Sequence, residues 1–476
     1  MQIVAIASIT VIKTTIMHSQ TFNIAKTETI VDKLAIQGFY RPVTFSIHLN
    51  FFQFLHLETL RYSPIRNNKS IICVENWMKR IALSTLSLAL LGAAGAAHAQ
   101  SSVTLYGLID DSIQYVHNAN PADNNLWQLA AGNLQGSRWG MKGTEDLGGG
   151  LKAIFQLESG FNPNNGKMGS YGTGTKLFGR QAYVGLTHDA YGTFTVGRQY
   201  DPLVDLVQPL TADNYFGSTF TTPGDVDNND NSSRTNNAIK YVSPVWSGFQ
   251  FEGMYALGGV AGATGAGQSW AGAATWAGGP FSVAAGYFRM ENGNTLASRG
   301  VTPTNVGGTW NTGVTSDGTF DGSNINGAYQ SAKQIDITSV AGQYVTGPFT
   351  FNVRYSFAQY KPDAFSGFTE QEKYQVAGAF AGYQLTPAML IGLGYTYTHG
   401  AGDTSANYHQ VSLGGDYNLS KRTDLYLIGA YQHASGHQRD AATGKVVDAG
   451  ASVGSYGYQA GSSSQEIVSL GIRHKF

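Results

Sequence analysis

Charge is scarce in this chain: Asp, Glu, Lys and Arg make up 13% of 476 residues, about half the share usual in a soluble globular domain. That scarcity argues against an ordinary soluble enzyme. Cysteine is nearly absent, with Cys73 alone, so no disulfide framework supports the fold and backbone pairing and packing must do so. Thirteen prolines are too few for a collagen-like fibre. After residue 100 no run of eighteen apolar residues occurs, which excludes a helical membrane protein. What is abundant instead is glycine, 60 residues, together with 26 Tyr and 24 Phe. Aromatics in that number exclude general disorder.

The one compact apolar stretch near the front is the eleven-residue run 81–91, preceded by Met78-Lys79-Arg80 and followed by small residues ending in Ala97-His98-Ala99. A basic start, a short apolar core and an A-x-A end are the marks of a secretory signal peptide. The expected organisation is therefore an upstream extension over 1–77, a signal peptide over 78–99 and an exported portion over 100–476, with translation expected to start at Met78. Residues 1–99 hold nine of the 30 Lys and Arg and four of the 31 Asp and Glu. The exported portion keeps 21 basic and 27 acidic residues, a net charge of −6. An acidic balance makes nucleic acid an unsuitable partner.

Along the exported portion, apolar and polar residues alternate with a period of two, the signature of strands. Phe349, Phe351, Val353, Tyr355 and Phe357 stand against Thr350, Asn352, Arg354 and Ser356. Val468, Leu470, Ile472, His474 and Phe476 stand against Ser469, Gly471, Arg473 and Lys475. Short turns such as 145–150, 243–248, 277–280 and 419–423 alternate with long loops over 200–233, 291–332 and 433–464. Strands of about ten residues, joined alternately by short turns and long loops, describe an all-β, antiparallel transmembrane barrel of the outer-membrane type. Counting the alternating runs gives roughly sixteen strands, enough to leave a water-filled lumen.

Several motifs carry a resemblance. Val103-Thr-Leu-Tyr-Gly107, Gly136-Ser-Arg-Trp-Gly-Met-Lys-Gly143, Phe178-Gly-Arg-Gln-Ala-Tyr-Val-Gly-Leu186, Gly197-Arg-Gln-Tyr200, Arg234-Thr-Asn-Asn-Ala-Ile-Lys-Tyr241 and the closing Gly471-Ile-Arg-His-Lys-Phe476 resemble the Gram-negative general porins over about residues 101–476. The resemblance implies a 16-stranded barrel with short periplasmic turns, long extracellular loops and an inward-folded third loop. It also implies a homotrimer in outer-membrane lipid, inserted by the barrel assembly machinery, that passes small hydrophilic solutes and ions by diffusion. It implies no catalysis, no cofactor and no metal. A solute-specific channel is the alternative, and a barrel adhesin or enzyme a more distant one.

A pore selects at its narrowest point by width and fixed charge. By motif, Arg138, Arg198 and Arg234 match the family's basic wall, and Arg180 is added by its expected place in a strand. Alternation turns Arg138, Arg234 and Lys240 inward, and Glu158 with them. Arg198 shares parity with Phe194 and Val196, so a bulge near Gly197 is needed to face it inward. The third loop carries Asp201, Asp205, Asp213, Asp225, Asp227 and Asp230 over 200–233 without a single Lys or Arg, so a transverse field across the constriction is expected. Either Asp205 or Asp213 faces the wall; Asp213, in Ala212-Asp-Asn-Tyr-Phe-Gly217, is the favoured one. In the first strand Leu108 stands where the family often has lysine, with Asp110 one pleat further, which argues against strong anion selectivity. Phe476 resembles the family's terminal assembly signal.

Four motifs are set aside. Gly450-Ala-Ser-Val-Gly454 lacks the strand and helix of a nucleophile elbow. Asp225-Val-Asp-Asn-Asn-Asp230 has neither the glycine nor the glutamate of a helix-flanked calcium loop. Gly262-Ala-Thr-Gly-Ala-Gly267 lacks a following helix, and His433 and His437 are read as loop histidines.

Overall fold

The alternation is realised as sixteen staves that close on themselves. The computed structural model describes residues 102–168, 176–259, 261–262, 265–292, 317 and 319–476; the expected upstream extension over 1–77 and signal peptide over 78–99 lie outside them. The first stave is β1 (Ser102–His117). The second is split into β2 (Leu126–Ala131) and β3 (Arg138–Gly148), which pair with Asp111–Val116 and Ser102–Leu108 of β1 respectively. There follow β4 (Leu151–Gly160), β5 (Gln181–His188), β6 (Gly192–Gln199), β7 (Thr235–Val242), β8 (Phe249–Ala256), β9 (Ser269–Gly278) and β10 (Phe281–Glu291). The long-walled half comprises β11 (Gln334–Thr346), β12 (Phe349–Lys361), β13 (Glu372–Thr386), β14 (Met389–Ala401), β15 (Ser405–Asn418) and β16 (Thr423–Arg439). A three-residue β17 (Val446–Asp448) only extends the far end of β16. The last stave, β18 (Ser464–Lys475), pairs with both β16 and β1 and closes the barrel. Every neighbouring pair is antiparallel, and closure leaves no stave edge unpaired, the condition for crossing lipid with strands.

The two faces follow the sequence pattern. Phe349, Phe351, Val353 and Tyr355 of β12 are exposed, while Asn352, Arg354 and Ser356 between them are buried inside. Val468, Leu470 and Ile472 of β18 are likewise exposed, with Ser469 and Arg473 buried. A continuous apolar outer surface of this kind belongs in hydrocarbon rather than water. His433 and His437 differ from expectation: β16 runs on to Arg439, so both are exposed strand residues rather than loop residues. The seventh long-side connection is also brief, only 402–404.

Barrel closure depends on a close approach. The Phe476 N–H donates to the Gly107 carbonyl at 3.0 Å, and the Gly107 N–H donates back at 3.1 Å. The Phe476 ring covers Gly107 so tightly that a Cβ there would lie 2.4 Å from its Cζ. Gly107→Val is expected to lower the yield of assembled barrel while leaving the conductance of assembled channels unchanged; a wild-type yield on unheated gels would contradict this.

The third long connection, 200–234, folds into the barrel. Its helical turns Leu203–Val207 and Asp213–Phe216 lie against the inner wall. Phe216 and Phe220 stack with centroids 4.9 Å apart and join Phe380 of β13 in a buried cluster. They fit because β14 and β15 present glycine: a Cβ on Gly392 or Gly414 would come 2.3 or 2.5 Å from the Phe216 ring. A second buried cluster joins Leu203, Val207 and Val226 of this connection to Ile325 from 292–333 and Ala449 from 440–463.

Candidate pore constriction

The basic residues singled out in the sequence gather on one side of the barrel, around Tyr200 at the start of the inward connection. Arg180 lies just before β5, in the connection 161–180 rather than in a strand. Its guanidinium sits 5.6 Å from the Tyr200 ring centre, and that of Arg234 lies 6.0 Å from the same ring. Burial, then the neighbouring Arg180 charge, pulls Arg234 down to about 10, so it stays a cation near neutrality. Arg198 and Arg138 complete the row: Arg198 acts electrostatically on Arg234, and Arg138 on Arg180.

Glu158 is the one strand carboxylate within this row. Its Oε1 accepts from Arg180 Nε at 2.9 Å and from the Tyr200 hydroxyl at 2.9 Å, and its Oε2 accepts from the Tyr106 hydroxyl at 2.9 Å. Gln156 Nε2 donates to the Tyr106 hydroxyl at 2.8 Å, and Tyr183 donates to Gln156 Oε1 at 3.0 Å. A carboxylate with so many charge-assisted donors is held in place rather than offered to solutes.

Arg198 does turn inward, and a bulge turns it. The β6–β7 register shifts between Gly197 and Gln199, and Gly197 has φ 137° with a Cβ position only 2.2 Å from the Ala182 carbonyl oxygen. Only glycine suits that backbone. Arg198 then donates to Gly179 O at 2.7 Å, to Asn236 Oδ1 at 2.6 Å and to the Asp317 carboxylate. Arg138 donates through Nε to Gly136 O at 2.8 Å, and among the described residues no acceptor takes its Nη groups. Arg234 Nη1 donates to Ser232 O at 3.2 Å, and its buried Nε has no partner among the described residues.

Lys240 donates to the Tyr200 carbonyl at 3.1 Å and is paired with Asp205 and, at 3.8 Å, with Glu252. Asp205 is thus matched by its own cation. Asp213 is turned into the loop itself, where Gln208 donates to it and Asp230 lies beside it. Burial, then Asp230 and Asp225, pushes its carboxyl well above the usual carboxylate range. Burial and Asp205 push Asp201 up to about 7. Asp225 caps the Asp230 and Ser232 N–H groups at 2.9 and 3.0 Å. Asp227 accepts from Arg354 of β12 at 2.7 Å and from Ser356, and Asp230 accepts from Ser218 at 2.8 Å and from Ser455. The acids of the inward connection build and anchor it.

Asp110 has a further task. It is fully buried at the break in the second stave and accepts from Leu134 N at 2.8 Å, Gln135 N at 2.7 Å and the Tyr426 hydroxyl at 2.6 Å. Those bonds hold the chain where β2 and β3 are interrupted. Sequence reasoning missed Tyr106, Tyr200, Lys176 and Asp317. Tyr200 had a usable signal, standing one residue past Gln199 in the Gly197-Arg-Gln-Tyr motif; Asp317 had none.

A family model for Gram-negative porins matches residues 84–437. An outer membrane porin protein of Bordetella pertussis is 31% identical over 84% of this chain and all of its own length. The chain belongs to the Gram-negative porin family. Outer membrane porin protein 32 of Delftia acidovorans is 30% identical, covering 83% of this chain and 99% of its own. The solved anion-selective porin from Comamonas acidovorans superposes with a TM-score of 0.58 at 26% identity, over 79% of this chain and all of that one. The porin is therefore an outer-membrane channel, and its family and fold are those of a channel rather than an enzyme.

Proposed function

We propose that this porin passes small hydrophilic solutes by passive diffusion with a preference for anions, set by the arginine row. One observation carries the reading: among the described residues Arg138, Arg180, Arg198, Arg234 and Lys176 stand together, with Glu158 and Asp317 ion-paired among them and Asp230 acting on Arg234 from the inward loop. Fixed positive charge beside a narrow aqueous path raises the local concentration of anions and lowers that of cations. Asp110, the added acid that argued against strong anion selectivity, is fully buried at the break in the second stave. Arg138 and Arg234 keep donors unspent and are the groups a passing anion meets. Lys240, Asp205 and Asp213 shape the loop and its seat more than the selectivity.

The working unit in this reading is a homotrimer in outer-membrane lipid. Strands β5 to β8 are eight residues each, against 13 to 17 for β11 to β16. A membrane strand needs about 9–11 residues, so the low wall suits contact with another protomer better than contact with lipid. Where it adjoins β4, its outer face carries an apolar groove lined by Phe155 and Leu157 of β4, Val184 of β5 and Val196 of β6. Phe476 serves as the terminal feature read by the barrel assembly machinery. Its deletion is expected to cut surface levels severalfold while assembled channels conduct normally; equal surface levels would contradict this role.

Planar-bilayer recording tests the functional reading. Openings in three equal steps, current proportional to solute gradient and a chloride-favouring zero-current potential are expected. Saturable block by a single solute would instead favour a solute-specific channel.

A further inference from the structure

The connection 292–333 brings a charge to the constriction that loop 200–234 does not. Asp317 accepts from Lys176 Nζ at 2.7 Å and from Arg198 Nη2. Its own N–H donates to the Arg234 carbonyl at 3.2 Å, so its backbone lies against the arginine row rather than above it. Burial opposes its ionisation, but Arg198 and Lys176 outweigh burial and hold the carboxyl below the usual carboxylate range. The side chain remains 24% exposed, so water and permeating ions reach it. Arg198, by contrast, is fixed on three sides by Gly179, Asn236 and Asp317.

We propose that Asp317 is a specificity-determining residue of this pore: a carboxylate, delivered by the connection between β10 and β11, that occupies Arg198 and Lys176 and holds the anion preference below what the arginine row alone would impose. It takes the part expected of the Asp-rich loop, whose own acids are buried or paired. A small anion entering the pore meets this carboxylate as a repelling charge and as a competitor for two of the five cations. Arg138 and Arg234, which do not bind it through their side chains, remain the passage's attractive groups. The inference rests on the anion-preferring reading above.

The test uses the full-length, membrane-assembled channel in planar bilayers under a KCl gradient. Asp317→Asn keeps the size and an accepting oxygen but removes the charge. The chloride-to-potassium permeability ratio is expected to rise about two- to threefold at 0.1 M salt, the effect of one charge at several ångströms in water, and the gain should shrink at 1 M salt as screening grows. Asp317→Glu, which keeps the carboxylate, should retain the wild-type ratio. An unchanged ratio in Asp317→Asn, or an equal rise in both variants, would overturn the inference, the second result because it reports displacement of the connection rather than loss of charge. The underlying reading fails separately: it falls if Arg138→Gln and Arg234→Gln together leave the selectivity unaltered, whatever Asp317 does.

Discussion

Replacing Arg138 and Arg234 together by glutamine is expected to lower the chloride-to-potassium permeability ratio about tenfold. One unit charge several ångströms from an ion path in water changes ion occupancy about threefold, and two such changes multiply. The effect should be largest at low salt and fade towards 1 M as the screening length falls to about 3 Å. These two are chosen because their guanidinium donors are not all spent: no acceptor among the described residues takes the Arg138 Nη groups or the Arg234 Nη2. Arg180 behaves differently. It is 7% exposed and ion-paired to Glu158 at 2.9 Å, so Arg180→Gln strands a buried carboxylate, a change that typically costs about 3–5 kcal/mol. Lower heat resistance is expected there, with or without altered selectivity. Zero-current potentials and unheated-gel mobility separate the two outcomes. A double variant that conducts with wild-type selectivity would show that this row is not the filter.

Releasing the inward loop is the other large expected effect. Asp227→Ala removes the carboxylate that holds Arg354 and Ser356 of β12. Arg354 is 8% exposed, and an unpaired buried guanidinium costs about 3–5 kcal/mol. Its other partner is Thr222 of the same loop, so a displaced loop strands it further. Single-channel records should show larger and noisier openings, because the loop fills part of the lumen beside Phe380, Gly392 and Gly414. Adding Arg354→Leu to Asp227→Ala removes the stranded charge and should recover part of the lost stability, as a coupled pair requires. Equal noise and stability in Asp227→Ala and wild type would contradict the anchoring role.

The barrel was legible because its rule is local. Lipid on one face and water or loop on the other impose a period of two, and Phe349 to Phe357 obey it residue by residue. The inward turn of Arg198 was legible as a conflict of parity that only a bulge at Gly197 resolves, and the bulge is there. What depends on distant partners was not legible. Asp213 carries the same carboxyl as Asp317, yet one is sealed against Asp230 and the other reaches Arg198 across 119 positions of sequence. Asp110 alternates correctly inward but meets the backbone of Leu134 and Gln135, because the second stave breaks between β2 and β3. Arg180 looked like a strand residue from its motif, while its strand starts one residue later. Alternation tells which face a side chain takes; it does not tell which loop covers that face.

The most direct test of the basic filter is the zero-current potential of the unmodified channel across a tenfold KCl gradient at low ionic strength. A potential of the sign set by chloride movement, shrinking as salt is raised, is the result expected from the arginine row. A potential of the opposite sign, or none at low salt, would contradict it.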